Sequence, residues 1–101
     1  MKLVIVTAVK EFHTEIVKLF KKGNIKNFSK LDIEGYKNGN ADVLSSNWFA
    51  ADKHGNESNM FFSFTESNNI DTLFKLIHEF NNNVETNNPI RAIVVPIEKF
   101  I

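Results

Sequence analysis

Few side chains in this sequence are of a type and spacing that could do chemistry. Arg91 is the only arginine, standing straight after the Asn87-Asn88-Pro89 turn at the start of an apolar run. Its planar fork of donors suits a phosphate or a carboxylate, the alternative being a surface ion pair. The histidines, His13, His54 and His78, are spread along the chain with none at the i, i+4 spacing that two helical metal ligands need. His54 has Asp52 and Glu57 nearby, a set able to hold a hard or borderline divalent ion if the segment curls, against the plainer reading of a solvated polar loop. The sequence has no cysteine, which removes thiolate catalysis, disulfides and Cys-ligated zinc together. It also lacks a Gly-x-Ser-x-Gly elbow and a phosphate-cradling glycine loop, and Glu11 and Glu15 stand at the surface spacing of a helix. No catalytic residue is assigned, and the chain is expected not to be an enzyme.

The elements that must position these residues are legible from periodicity. Leu3 to Ala8 is a short apolar run rich in β-branched residues, the pattern of a strand covered on both faces. From Glu11 to Lys22, Phe12, Ile16, Leu19 and Phe20 recur at helical spacing, cations gather toward the end, and Gly23 stops the helix. Phe28 to Tyr36 alternates, Leu31 and Ile33 against Lys30, Asp32 and Glu34, as a half-solvated strand does. Met60 to Thr65 predicts a third strand, and Ser67-Asn68-Asn69 offers caps for a second helix with the stripe Ile70, Leu73, Phe74 and Ile77, closing near Phe80. Ile90 to Ile97 predicts the last strand, with Pro96 near its end. The order β-α-β-β-α-β predicts an α+β domain of the ferredoxin-like type, a four-stranded antiparallel sheet with both helices on one face. Strands one, three and four are nevertheless apolar at adjacent positions, so the second face needs a cover. Association of copies through the sheet supplies one, and a loop folding back supplies another.

Between the second and third strands the stretch from Lys37 to Asn59 has neither period. Loops of such length in compact domains tend to carry function. Its middle holds Trp48-Phe49, with the only tryptophan in the chain. An aromatic pair there can anchor a partner at small entropic cost, or pack back on the chain's own sheet or a neighbouring subunit.

Composition bounds the rest. A length of 101 residues suits one domain, 1–101, and 43% hydrophobic with 12% aromatic residues is enough for a core. A formal net charge of +0, without a basic block longer than Lys21-Lys22, gives no pull toward nucleic acid or anionic lipid. The apolar opening is too short for a signal peptide or a membrane span, so the expectation is a cytoplasmic protein without membrane insertion.

Read along its whole length, the sequence resembles the P-II-like signalling superfamily. The likeness rests on Met1-Lys2-Leu3 opening strand one, on Gly23-Asn24-Ile25, on the run from Ser29 through Gly35-Tyr36-Lys37 to Gly39, and on the ending Val94-Val95-Pro96-Ile97-Glu98-Lys99. The resemblance implies a homotrimer of ferredoxin-like subunits with ligands in the clefts between them. It also implies a T-loop, here within 37–59, that docks on a target transporter or enzyme in nitrogen regulation or related signal transduction. By the same resemblance Ser29, Gly35, Lys37 and Arg91 are ligand-binding, for an adenine nucleotide or another small anionic ligand. The family's phosphate loop reads Asn88-Pro89-Ile90-Arg91 here, without its glycines, which argues against ATP. Tyr36 is the only tyrosine and stands at the loop's base, so the family's loop-tip modification site is missing, and its basic C-terminal extension is expected to be absent after Ile101. The metal-tolerance proteins of the CutA type are a more distant likeness, and they would give His54, Asp52 and Glu57 a role as metal ligands.

Overall fold

The computed structural model describes residues 1–36 and 56–101. Strand β1 (Lys2–Val9) leads through a single 3₁₀ turn (Lys10–Phe12) into helix α1 (His13–Lys22), then strands β2 (Ser29–Gly35) and β3 (Asn56–Thr65), helix α2 (Ser67–Asn83) and strand β4 (Arg91–Pro96). All pairings are antiparallel and the sheet order is β2-β3-β1-β4, the ferredoxin-like arrangement expected.

Alternation along the strands sends one set of side chains under the helices. Val4, Val6, Ala8 and Phe61 from the sheet meet Ile16, Leu19 and Phe20 of α1 and Ile70, Leu73 and Ile77 of α2 in one core. The centre of that core is aromatic. Phe61 and Phe20 are fully buried, with ring centroids 5.8 Å apart, and the edge of Phe28 meets Phe20 at 4.7 Å. A further edge-on contact, Phe12 to Phe80 at 5.2 Å, ties the start of α1 to α2. These edge-on geometries are among those that ring quadrupoles favour.

Several boundaries depart from the sequence reading. Strand β3 begins at Asn56 rather than Met60, because Asn56–Asn59 pair with Gly35–Asp32 of β2. The polar stretch carries no apolar period, and cross-strand partners supply what the pattern lacked. One such bond is from Asn59 Nδ2 to Asp32 Oδ1 at 2.8 Å. Helix α2 runs past Phe80 through Asn83, and its N-cap is Glu66, not one of Ser67 to Asn69, with no side-chain cap. The first part of the predicted first helix is a 3₁₀ turn. At the end of α1, Gly23 has φ −78° and the left-handed residue is Asn24, φ 61°. Asn24 N–H donates to the Lys21 carbonyl and Ile25 N–H to that of Phe20, at 3.0 and 2.9 Å, the double closure of a Schellman motif. That closure turns the chain toward β2 and buries Ile25.

The opposite face of the sheet is apolar, as the doubled hydrophobic positions predict. Row by row across it stand Val95, Leu3 and Phe64, then Ile93, Ile5, Phe62 and Ser29, then Arg91, Thr7, Met60 and Leu31. Phe64, Leu31, Ile93 and Val95 are exposed there. No helix among the described residues is long and apolar enough to cross a membrane.

Candidate functional site: two sheet edges

The ligand-binding residues expected from sequence fall on opposite edges of the sheet. Ser29 opens β2, one edge strand, and Gly35 closes it, while Arg91 opens β4, the other edge. Three strand spacings and a two-residue offset separate Ser29 from Arg91 by about 16 Å, and Gly35 from Arg91 by about 20 Å. Within one subunit the two groups do not meet. Lys37, Trp48, Phe49, Asp52 and His54 lie outside the described residues.

Ser29 lines a cavity of about 350 Å³, with Lys26, Asn27, Phe28, Phe62, Ser63 and Phe64. It forms because β3 runs on to Thr65 while β2 starts only opposite Phe62, so the chain from Asn24 to Phe28 swings away from the strand it would otherwise pair with. Ser63 stabilises the swing by donating its hydroxyl to the Asn27 carbonyl at 2.6 Å. A second hollow of about 270 Å³, lined by Asn24 to Asn27 and Ser63 to Thr65, continues it. Chemically the pair offers aromatic walls, one lysine, and hydroxyl and amide groups. Such a lining fits a planar ring carrying anionic substituents.

On the far edge, Arg91 is half-buried and stands opposite Thr7. The Thr7 hydroxyl is buried without a hydrogen-bond partner. The connection before Arg91 is fixed by side chains: Asn81 Nδ2 donates to the Ile90 carbonyl at 3.0 Å, Ile90 N–H donates to Asn81 Oδ1 at 2.9 Å, and Asn88 N–H donates to the Thr86 hydroxyl at 2.9 Å. Sequence reasoning missed Asn81, since an asparagine in an asparagine-rich stretch carries no signature of its own.

A third cavity, about 240 Å³, sits where β2 and β3 approach the loop and is lined by Lys10, Asp32, Ile33, Glu34, Glu57 and Ser58. Glu57 belongs to β3, not to the loop, and stands opposite Glu34; Lys10 Nζ, 3.8 Å from Glu57 Oε2, moderates the like charges. Tyr36 donates its hydroxyl to the same Glu34. That hydrogen bond, and then the negative charge of Glu34, hold the phenol above its ordinary pKa. Among the described residues no three His, Cys, Asp or Glu side chains are grouped to hold a metal ion. His13 sits at the start of α1 with its ring 5.7 Å from that of Phe61, and His78 is exposed on α2.

A four-stranded antiparallel sheet in the order β2-β3-β1-β4, two helices on one face and a long β2–β3 connection define a ferredoxin-like α+β domain with cavities along its β2 edge. No family model and no curated protein matches the sequence. Among solved structures, the fold is similar to that of CPII, a nitrogen regulatory PII-like protein from Thiomonas intermedia K12, bound to ADP, AMP and bicarbonate. The likeness covers 99% of this chain and 94% of that one, with a TM-score of 0.62 at 8% sequence identity. The chain therefore shares the ferredoxin-like fold of that structure over nearly its whole length.

Proposed function

We propose that this protein is a P-II-like regulator that binds a small anionic ligand or nucleotide in clefts between the subunits of a homotrimer. Binding is then transmitted to a target transporter or enzyme through the segment between β2 and β3. One observation carries the reading: Ser29 with its aromatic-walled cavity lies on the β2 edge and Arg91 on the β4 edge of the same sheet. A ligand held by both needs the β2 edge of one copy beside the β4 edge of another. The exposed apolar side chains Leu31, Phe64, Ile93 and Val95 on that sheet face give copies a reason to associate. The structural neighbour's ADP, AMP and bicarbonate point to the same ligand class. The role proposed is regulatory, not catalytic, and the compartment cytoplasmic.

Isothermal titration with ADP, AMP, ATP, cyclic nucleotides, bicarbonate and 2-oxoglutarate tests the reading. Saturable heat with at least one of them is expected, weakened by both Ser29→Ala and Arg91→Ala. The only tryptophan, Trp48, lies between β2 and β3, so its fluorescence should change as that ligand binds. Silence across the panel removes the ligand-sensing role.

A further inference from the structure

We infer that Asn81, in the last turn of α2, is a positioning residue that orients Arg91 for oxyanion recognition, an inference that rests on the ligand-binding reading of Arg91 above. Both polar atoms of the Asn81 amide are spent on one residue, accepting from Ile90 N–H at 2.9 Å and donating to Ile90 C=O at 3.0 Å. The Ile90 carbonyl belongs to the peptide group whose nitrogen is that of Arg91. Holding that carbonyl fixes the peptide plane from which the Arg91 side chain departs. On its other flank Arg91 is held by β1, where it stands opposite Thr7. Arg91 is thus pinned on both sides at a point where an edge strand would otherwise fray.

The clamp is more than the strand itself needs. Ile90 is already anchored in the core at 2% exposure, and β4 takes its register from six cross-strand partners on β1, Arg91 to Pro96 against Thr7 to Lys2. What the amide adds is orientation at a single position. A guanidinium recognises an oxyanion through paired, parallel N–H donors, a geometry that tolerates little angular error. Glycine-rich phosphate loops achieve close approach with backbone amides. The connection here, Val84 to Ile90, contains no glycine and is shaped by side-chain hydrogen bonds, so the arginine side chain must supply the recognition.

Because Arg91 is the only arginine, its Nε–Hε group gives one unambiguous signal in a ¹H–¹⁵N NMR spectrum. In Asn81→Ala that signal should shift, while Glu79→Ala, on the exposed side of the same helix, should leave it in place. Asn81→Asp keeps the acceptor for Ile90 N–H but sets a carboxylate oxygen against the Ile90 carbonyl, so it should move the signal at least as far as Asn81→Ala; it also serves if Asn81→Ala does not fold. Affinity for ADP should drop about tenfold in Asn81→Ala, the low end of what losing an orienting partner costs at metal centres. In an Arg91→Ala background the same change should cost nothing further. An unmoved Arg91 signal in the folded Asn81 variants, or a second tenfold loss in the double variant, overturns the inference. If the wild-type protein binds neither ADP nor any other probe, the ligand-binding reading fails by itself, and the Arg91 signal of the free protein still decides whether Asn81 orients it.

Discussion

Replacing Ile93 by aspartate separates folding from association, and the magnitudes say why. Ile93 lies on the open face, 40% exposed, opposite Ile5, which in turn stands opposite Phe62. In a lone subunit Ile93→Asp leaves the carboxylate on a solvated edge strand. The change there costs about 1 kcal/mol, from lost partial burial and poorer β-propensity. In an assembly that covers this face, the variant forfeits about 1 kcal/mol of remaining isoleucine burial. It also confines an unpaired carboxylate away from water, at roughly 3 kcal/mol after relaxation. The difference, about 4 kcal/mol per subunit, corresponds to nearly a thousandfold in the association constant at each contact. Size-exclusion chromatography with light scattering, run over a dilution series, should give an oligomer for the wild type and a monomer for Ile93→Asp. Circular dichroism should show the same secondary structure for both. A wild type that stays monomeric at every concentration refutes the inference from the apolar face; so does a variant that keeps its full mass.

Other outcomes follow from individual contacts. Thr7 is 4% exposed and its hydroxyl lacks a partner, so Thr7→Val should raise stability to urea by about 1 kcal/mol, a lowered midpoint showing that the hydroxyl is paired in solution. Ser63→Ala leaves the Asn27 carbonyl without the hydroxyl it accepts from and should cost about 1 kcal/mol. It should also weaken ligand binding at the Ser29 cavity, whose wall that bond holds. Tyr36, the only tyrosine, should titrate above the ordinary value of about 10 in ultraviolet difference spectra, and Glu34→Gln should bring it back. The sign is that of a neutral acid favoured by folding. The hydrogen bond to Glu34 is fully present below the ordinary tyrosine pKa and is lost as pH rises through the higher folded value.

Periodicity located the strands and α-helices of the described residues because burial imposed it: the stripe of α1, the stripe of α2 and the doubled apolar positions of β1 each answer to a face of the sheet or of a helix. It failed where tertiary partners replace pattern. Asn56 to Asn59 look like loop until Asp32 to Gly35 are set beside them. Asn81 to Asn83 look like a helix end until Ile90 comes within reach of Asn81. Gly23 was the visible stop for α1, yet Asn24 takes the left-handed conformation, a role asparagine fills through its short polar side chain. For the site, the residue types of Ser29 and Arg91 were legible. Their separation was not, since only the sheet order reveals that β2 and β4 are opposite edges.

That separation ties ligand binding to assembly. If Ser29 and Arg91 hold one ligand, the ligand binds the oligomer and not the subunit, and mass action requires each to favour the other. Ile93→Asp removes neither proposed ligand contact, but Ile93 and Arg91 share one face two residues apart on β4, so Ile93→Asn, which is polar without the charge, is the control for a direct effect on Arg91. Ile93→Asp should nonetheless lose affinity for whichever probe the wild type binds, in step with its loss of mass. Ser29→Ala should lose affinity and keep its mass. Raising the Ile93→Asp concentration, or adding saturating ligand, should recover part of both properties together. A monomeric Ile93→Asp that binds with wild-type affinity would place the whole site within one subunit, and the cleft between subunits would then have no part in recognition.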